Sequence, residues 1–250
     1  MNGRPLALIT GGVRRVGLAI ARSLAAQGCD LIITYRSRAD EAQGAADELR
    51  RLGGAVQSYR LELDDLAAVD HAGQTLGSEL RRLDVLVHNA SVYAPTPLDS
   101  LRPEELVAHY RVNAAAPLLL TRRLASLLAA STLPGGGAVV AMCDMHVLGR
   151  PRKDFAAYSM SKAALVEMVR VLARELAPAI RVNGVAPGVV AFPETGYESD
   201  AGAQQAYLSR VPLQRSGTPE DAAEAVRWLA LDARYTTGEI VRIDGGRWLA

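Results

Sequence analysis

The chain has few cysteines, no excess of charge of one sign and no long apolar run. Two cysteines, Cys29 and Cys143, cannot build a disulfide framework, so a reducing compartment is expected. Lys and Arg number 28 against 27 Asp and Glu, which argues against a nucleic-acid partner. The first apolar run, residues 6–10, is too short for a signal-peptide core or a membrane span. We therefore expect a cytoplasmic protein with no nucleic-acid or membrane partner.

The sequence does have a regular alternation of short apolar runs and longer amphipathic stretches. The runs predict strands over 6–10, 31–35, 55–61, 84–88, 137–142, 180–186 and 239–243, and the stretches predict helices near 15–27, 39–52, 65–80, 103–130, 153–177 and 219–231. Uninterrupted apolar strands are typical of a parallel sheet with helices on both faces. The alternation predicts a doubly wound α/β fold, with residues 1–250 forming one domain. Residues 190–210 have no clean period and are predicted to form a substrate lid.

A glycine-containing turn, Thr10–Gly17, connects the first predicted strand to the first predicted helix. Such a turn presents backbone N–H groups and the positive end of a helix to a pyrophosphate, although an ordinary βα turn is the alternative. The predicted cofactor contacts are Gly11, Arg14, Arg15 and Val16. Arg15 stands at a glycine position of the motif, and its guanidinium could reach phosphate oxygens or the substrate.

The end of the second predicted strand indicates which nicotinamide cofactor is used. A site for NAD has an acid about 20 residues after the glycines, which accepts from the ribose 2′-hydroxyl. Tyr35 occupies that place, and Arg36 and Ser37 follow it. Arg36 and Ser37 could hold a 2′-phosphate, which predicts NADPH. The alternative is that Arg36 is a solvated loop charge.

Tyr158 and Lys162 lie one helical turn apart, on one face of a predicted helix. A neighbouring ammonium favours phenolate, so we expect Lys162 to lower the pKa of Tyr158 from about 10 and make it a usable proton donor. Asn113 lies inside the long helical stretch 103–130. It is interpreted either as a satisfied structural amide or as a bend that holds a water near Lys162.

Together these motifs resemble the short-chain dehydrogenase/reductase family over nearly the whole chain. The resemblance is carried by residues 10–17, 89–91, 113, 158, 162, 181–183, 187–188 and 244–246. It implies a nicotinamide cofactor, catalytic roles for Asn113, Tyr158 and Lys162, and a contact of Lys162 with the nicotinamide ribose. It also implies a homotetramer built on the two long helices. The other cofactor contacts that it implies are Glu62, near the adenine, and Asn89, Ala90, Ser91, Pro187, Gly188 and Val190.

The chain departs from the family where the catalytic serine is expected, because Asp144 stands there. Asp144 is predicted to be catalytic, either positioning Tyr158 or relaying protons. Asp144 combined with Arg15 resembles one branch of the family, the pteridine and dihydromonapterin reductases. In that branch an aromatic residue stacks on the pterin, and Tyr93 is the matching position. The substrate contacts implied are Arg15, Ser91, Tyr93, Asp144 and Tyr158. The alternatives are a degenerate site and a Tyr93 that only covers apolar surface.

The sequence thus predicts NADPH-dependent reduction of a dihydropterin, a small-molecule substrate. A carboxylate suits this substrate because it accepts from ring N–H and amino groups. A general carbonyl or 3-oxoacyl reductase is the second hypothesis, and a non-catalytic NADP(H)-sensing protein is the third. The four histidines show no metal-ligand spacing, so no metal is expected.

Overall fold

A computed structural model describes residues 3–192 and 199–249, whose centre is one seven-stranded sheet. The strands are β1 (Leu6–Ile9), β2 (Asp30–Tyr35), β3 (Val56–Arg60), β4 (Val85–His88), β5 (Gly137–Met142), β6 (Ile180–Pro187) and β7 (Ile240–Ile243). Their order across the sheet is β3-β2-β1-β4-β5-β6-β7, and every neighbouring pair is parallel. The doubly wound α/β fold is confirmed, and the predicted strand ends agree with the observed ones to within one residue.

Helices cover both faces of the sheet. They are α1 (Arg15–Ala26), α2 (Ala39–Arg50), α3 (Leu66–Glu79), α4 (Pro103–Tyr110), α5 (Ala116–Ala129), α6 (Ala156–Glu175), α7 (Ala201–Leu208) and α8 (Pro219–Arg227). Leu8 of β1 faces a core formed with α3, α5 and α6, whereas the next residue, Ile9, faces a core formed with α1, α2 and α8. Both faces of the central strands are buried, which explains why the strands read as uninterrupted apolar runs.

The stretch 103–130 was predicted as one helix, but its winding changes between α4 and α5. Over Arg111–Ala115 the helix widens, so that the N–H of Ala116 donates to the carbonyl of Arg111, five residues earlier. Turns of this π type are frequent at functional sites. The widened turn contains the buried Asn113, whose side chain bonds to neighbouring segments.

The segment before α6 is irregular, so α6 begins three residues after its predicted start. Asp154 has a positive φ of 62°, and its carbonyl accepts from the N–H of Thr96 at 2.6 Å. The hydroxyl of Thr96 accepts from the N–H of Ala157, in the first turn of α6, at 3.1 Å. These two bonds tie the end of the loop 150–155 and the first turn of α6 to Thr96.

Within the described residues, no helix combines the length and the apolar run that a bilayer crossing requires. No group of three or more His, Cys, Asp or Glu side chains in that part of the chain is placed to hold a metal ion. Cys29 and Cys143 are buried free thiols, and burial raises their pKa values to about 11 and about 12. Of the predicted lid 190–210, residues 193–198 lie outside the described residues, and α7 forms most of the remainder.

Candidate active site

The candidate site lies at the carboxyl edge of the sheet, where the strand order reverses. β1 pairs with β2 on one side and with β4 on the other, so the connections from β1 and β4 leave toward opposite faces and open a crevice. A cavity of about 910 Å³ occupies this crevice. All the predicted site residues line it except Asn113 and Lys162, which are buried behind its wall. The structure therefore brings the predicted residues together at one place.

The phosphate-binding turn is held by very close backbone packing. Gly11 has a φ of 65°, and a Cβ on Gly17 would lie only 2.0 Å from the carbonyl oxygen of Gly11. The side-chain amide of Asn89 donates to the carbonyls of Thr10 and Gly11 at 3.0 and 3.1 Å. Asn89, predicted as a cofactor contact, therefore also supports the turn from β4, and the amino end of α1 faces the cavity.

Arg15 explains why the family motif has a glycine at its position. Its φ is 49°, in the left-handed region that favours glycine. Its guanidinium donates through Nη2 to the carbonyls of Ala191 and Phe192, at 3.2 and 3.0 Å. The side chain thus bridges the phosphate-binding turn and the segment that follows β6.

Arginines also line the end of the cavity beside β2. Nε of Arg36 lies 4.0 Å from a carboxylate oxygen of Glu62, and the Arg36 side chain is 68% exposed. An ion pair this exposed contributes little, so the Arg36 guanidinium is available to a phosphate. Arg38, two residues further on, pairs with Glu41 at 2.5 Å.

The hydroxyl of Tyr158 donates to Oδ2 of Asp144 at 2.7 Å, while Oδ1 of Asp144 accepts from the N–H of His146 at 2.7 Å. Burial and the charge of the Asp144 carboxylate raise the pKa of Tyr158 well above 10. The expectation that Lys162 lowers this pKa is wrong for the arrangement observed. Nζ of Lys162 donates to the carbonyl of Met142 at 2.6 Å and lies 5.9 Å from the centre of the Tyr158 ring. The carboxylate is in direct contact with the hydroxyl and the ammonium is not, so Tyr158 stays protonated.

The Asn113 amide is fully engaged in structural hydrogen bonds. Its oxygen accepts from the N–H of Val92 and the hydroxyl of Ser91, at 2.9 and 3.0 Å. Its nitrogen donates to the carbonyl of Val92 and the hydroxyl of Ser161, at 3.0 and 2.9 Å. Among the described contacts, none joins this amide to Lys162. The observed bonds fit the interpretation of a satisfied structural amide, and the interpretation of a bend that holds a water near Lys162 stays a prediction.

Tyr93 lies directly beside Tyr158, in the part of the cavity away from β2. Its ring is edge-on to Tyr158 with centroids 4.9 Å apart, and it stacks on Phe155 at the same distance. The guanidinium of Arg152 donates to the Tyr93 hydroxyl and lies 4.2 Å above the centre of the Phe155 ring. Tyr93 is 40% exposed, so it offers surface to a ligand.

Sequence reasoning missed Arg152, Phe155 and the buried His109. The ring of His109 meets the Tyr158 ring edge-on at 6.5 Å, and its Nδ1 bonds to the carbonyl of Glu105. Arg152 and Phe155 lie in the irregular loop before α6, where no periodicity marks the side that faces the cavity. Their closeness in sequence to Tyr158 was the only signal available.

Comparison with known proteins finds similarity along almost the entire chain. The family model described as enoyl-(acyl carrier protein) reductase matches residues 12–247. A 3-oxoacyl-[acyl-carrier-protein] reductase from Synechocystis is 31% identical over 245 residues, which cover 96% of each chain. A dihydromonapterin reductase from Enterobacter is 31% identical over 244 residues, which cover 98% of this chain and 96% of the relative. A short-chain dehydrogenase from Burkholderia cenocepacia, solved in complex with NADP, is 32% identical with a TM-score of 0.87 and covers 97% of both chains.

Proposed function

The chain belongs to the short-chain dehydrogenase/reductase family, and from this premise we propose that it is an NADPH-dependent reductase of a dihydropterin. Membership of this family makes the chain an NAD(P)-dependent oxidoreductase. The observation that supports the pterin is the hydrogen bond from Tyr158 to Asp144 at the position of the family's serine.

The residues at the crevice fit a dinucleotide carrying a 2′-phosphate. The backbone of Gly11–Gly17 leaves no room for side chains at its two ends, which is the form of a cradle for a pyrophosphate. Arg36 and Ser37, at the end of β2, would hold the 2′-phosphate, because no acid stands there to bind a free 2′-hydroxyl. When bound, the reduced nicotinamide supplies a hydride to a ring carbon of the substrate.

Tyr158 would supply the proton to the neighbouring ring nitrogen. Its raised pKa keeps the hydroxyl protonated throughout the neutral range but also makes it a weaker acid, so the transfer needs a strongly basic acceptor, such as the nitrogen anion that hydride addition would leave on the ring. The same carboxylate opposes a lasting phenolate on Tyr158, which therefore has to be reprotonated quickly. Asp144 is within hydrogen-bond distance of the phenol oxygen, so its carboxylate can take up a proton from water and pass it to the phenolate.

Asp144 also favours a pterin over a carbonyl compound. An ionised carboxylate offers only acceptors, so it receives bonds from the ring N–H and amino groups of a pterin. The oxyanion that develops on a carbonyl substrate would be repelled by the same group. A serine, which donates, would suit the carbonyl oxygen better.

The test of the proposed function is NADPH oxidation with dihydrobiopterin, with an acetoacetyl thioester and with neither. Turnover of dihydrobiopterin well above the thioester is the expected result. Preference for the thioester would favour the second candidate, a carbonyl or 3-oxoacyl reductase, which the similarity to the Synechocystis enzyme supports. NADPH binding without turnover of any substrate would favour a cofactor sensor.

Replacing Arg36 with Ala is expected to weaken NADPH and leave NADH almost unchanged. A charge-assisted hydrogen bond contributes roughly 1.5–3 kcal/mol, which corresponds to at least a tenfold loss in kcat/KM for NADPH. Arg51, in an exposed position after α2, serves as the control for lost charge. Equal kcat/KM for NADPH and NADH in the unmodified protein would contradict the assignment.

Replacing Tyr93 with Ala is expected to raise KM for a dihydropterin, because the aromatic surface beside Tyr158 is lost. Aromatic pairs contribute about 0.5–1.5 kcal/mol beyond area burial, so the rise should be severalfold. Tyr93→Phe keeps the ring and should change KM little. If steady-state kinetics show neither variant differing from the unmodified protein, Tyr93 does not contact the substrate.

We further propose a homotetramer in the cytoplasm, assembled through the helices α4 to α6. Large apolar side chains are exposed on these helices, namely Val107, Tyr110, Leu118, Met160 and Val171. Exposed apolar groups of this kind mark protein interfaces when they are contiguous. The buried free thiols suit a reducing compartment. Light scattering of the purified protein measures the assembly.

A further inference from the structure

The loop between β5 and α6 presents an arginine to the part of the cavity where the substrate would lie. Arg152 lines the cavity together with Tyr93, Asp144 and Tyr158. The loop is pinned by the bond from Thr96 to the carbonyl of Asp154, two residues further on. The backbone near Arg152 is therefore held by a hydrogen bond to a distant part of the chain.

Charge is distributed unevenly along this cavity. The other cationic side chains that line it, in the part of the chain that the structure describes, are Arg14, Arg15, Arg36 and Arg38, from the phosphate-binding turn and the end of β2. Arg152 comes from the opposite side, next to the proposed proton donor. Its positive charge acts against burial and Asp144 on the pKa of Tyr158, which reflects how near the guanidinium lies to the phenol.

The guanidinium is oriented by two aromatic rings. It lies 4.2 Å from the centre of the Phe155 ring and 5.6 Å from that of Tyr93, and it donates to the Tyr93 hydroxyl. Stacking on aromatic faces stabilises a guanidinium and fixes its plane, and a planar fork of donors matches a carboxylate or a phosphate. A heterocycle resting on Tyr93 would extend its side chain past this fork.

Asp144 and Arg152 give the substrate region opposite charges at two places. The carboxylate would receive the N–H and amino donors of the heterocycle, while the guanidinium suits a negative group further along the molecule. A substrate with donors at one end and an anion at the other would be held in one orientation. A substrate with a neutral side chain would bind to Asp144 but gain no ionic contact with Arg152.

From this arrangement we propose that Arg152 binds an anionic group, a carboxylate or a phosphate ester, on the side chain of the dihydropterin and so sets substrate preference. The proposal rests on the proposed function, because it concerns the substrate of the same site. It adds a specificity-determining residue that the sequence motifs did not indicate.

The test is the ratio of kcat/KM for an anionic dihydropterin to kcat/KM for a neutral one, measured with NADPH. Dihydrofolate supplies the carboxylates, dihydroneopterin monophosphate supplies the phosphate ester, and dihydrobiopterin is neutral. Arg152→Met should lower the ratio by roughly tenfold or more, mainly through KM of the anionic substrate, because a charge-assisted contact is lost. Arg152→Lys, which keeps the charge without the planar fork, should lower it less.

Matched variants separate this role from a structural one. Lys153→Met removes the neighbouring exposed charge and should leave the ratio unchanged. Arg51→Met removes an exposed charge away from the cavity and should also preserve the ratio. A fall limited to dihydrofolate identifies a carboxylate ligand, and a fall limited to the monophosphate identifies a phosphate.

Two results would overturn the proposed role of Arg152, and a third would overturn the proposed function as well. If Arg152→Met changes no ratio, or raises KM equally for neutral and anionic substrates, the side chain only supports Tyr93. In both cases reduction of dihydrobiopterin still upholds the proposed function. If the unmodified protein reduces no dihydropterin at all, the proposed function fails and the role of Arg152 falls with it.

Discussion

Replacing Tyr158 with Phe should lower kcat for dihydropterin reduction by roughly 10²–10⁴-fold, the usual contribution of a positioned proton donor. The substitution removes one oxygen and keeps the ring that packs edge-on against Tyr93 at 4.9 Å. The Kd for NADPH should therefore stay within a factor of about two, since no polar contact to the phosphate-binding turn is lost. Steady-state turnover and titration of NADPH fluorescence measure the two quantities separately.

Tyr235→Phe is the matched control, because Tyr235 is fully exposed and outside the cavity. Normal turnover in Tyr158→Phe would mean that the proton comes from another group, with Asp144 the nearest candidate. The pH profile gives a second test. The pKa of Tyr158 is raised well above 10, so this hydroxyl does not lose its proton as pH rises from 6 to 9. A fall in kcat that traces to Tyr158 within that range would contradict the raised pKa.

Replacing Asp144 with Ser should remove most dihydropterin reduction, by roughly 10²-fold or more, and should raise reduction of an acetoacetyl thioester. The carboxylate accepts from Tyr158 at 2.7 Å, whereas a serine hydroxyl can donate to a carbonyl oxygen. One preorganised donor to a developing oxyanion is worth about 10²–10³ in kcat in other enzymes, which sets the scale of the change. Competition between the two substrates in one assay measures the switch.

Asp144→Asn separates the charge of this residue from its shape. The amide keeps an oxygen that can accept from Tyr158 but removes the negative charge, which ranks after burial among the causes of the raised Tyr158 pKa. The pKa of Tyr158 should fall, and dihydropterin turnover should fall as well because the amide cannot relay a proton. Full dihydropterin activity in Asp144→Asn would leave the residue a structural one and favour the carbonyl reductase.

The bounds of the strands could be predicted closely because each strand coincides with an apolar run that is visible in the sequence. Each central strand is buried on both faces, so its apolar run begins and ends with the strand itself. No comparable sequence pattern marks the widened turn at Arg111–Ala115. It accompanies the bonds of Asn113 to Val92 and Ser161, which are distant in sequence.

The site was predicted where its residues follow a motif and missed where they depend on packing. The spacing of Tyr158 and Lys162 correctly placed them one turn apart on α6, but spacing carries no information about burial. The pKa of Tyr158 is set by burial and by Asp144, from a different element. Arg152 lines the cavity from a loop that is tied to Thr96, a residue distant in sequence, and no local pattern predicts that bond.

Arg15 has two opposite effects on stability, a strained backbone and a pair of hydrogen bonds that glycine could not make. A non-glycine residue in the left-handed region costs roughly 1–2 kcal/mol, so glycine at position 15 would relax the phosphate-binding turn. The same change would delete the two hydrogen bonds to Ala191 and Phe192 that link the turn to the segment after β6. The two effects oppose each other, so Arg15→Gly should change the melting temperature little while releasing the segment after β6 from the phosphate-binding turn.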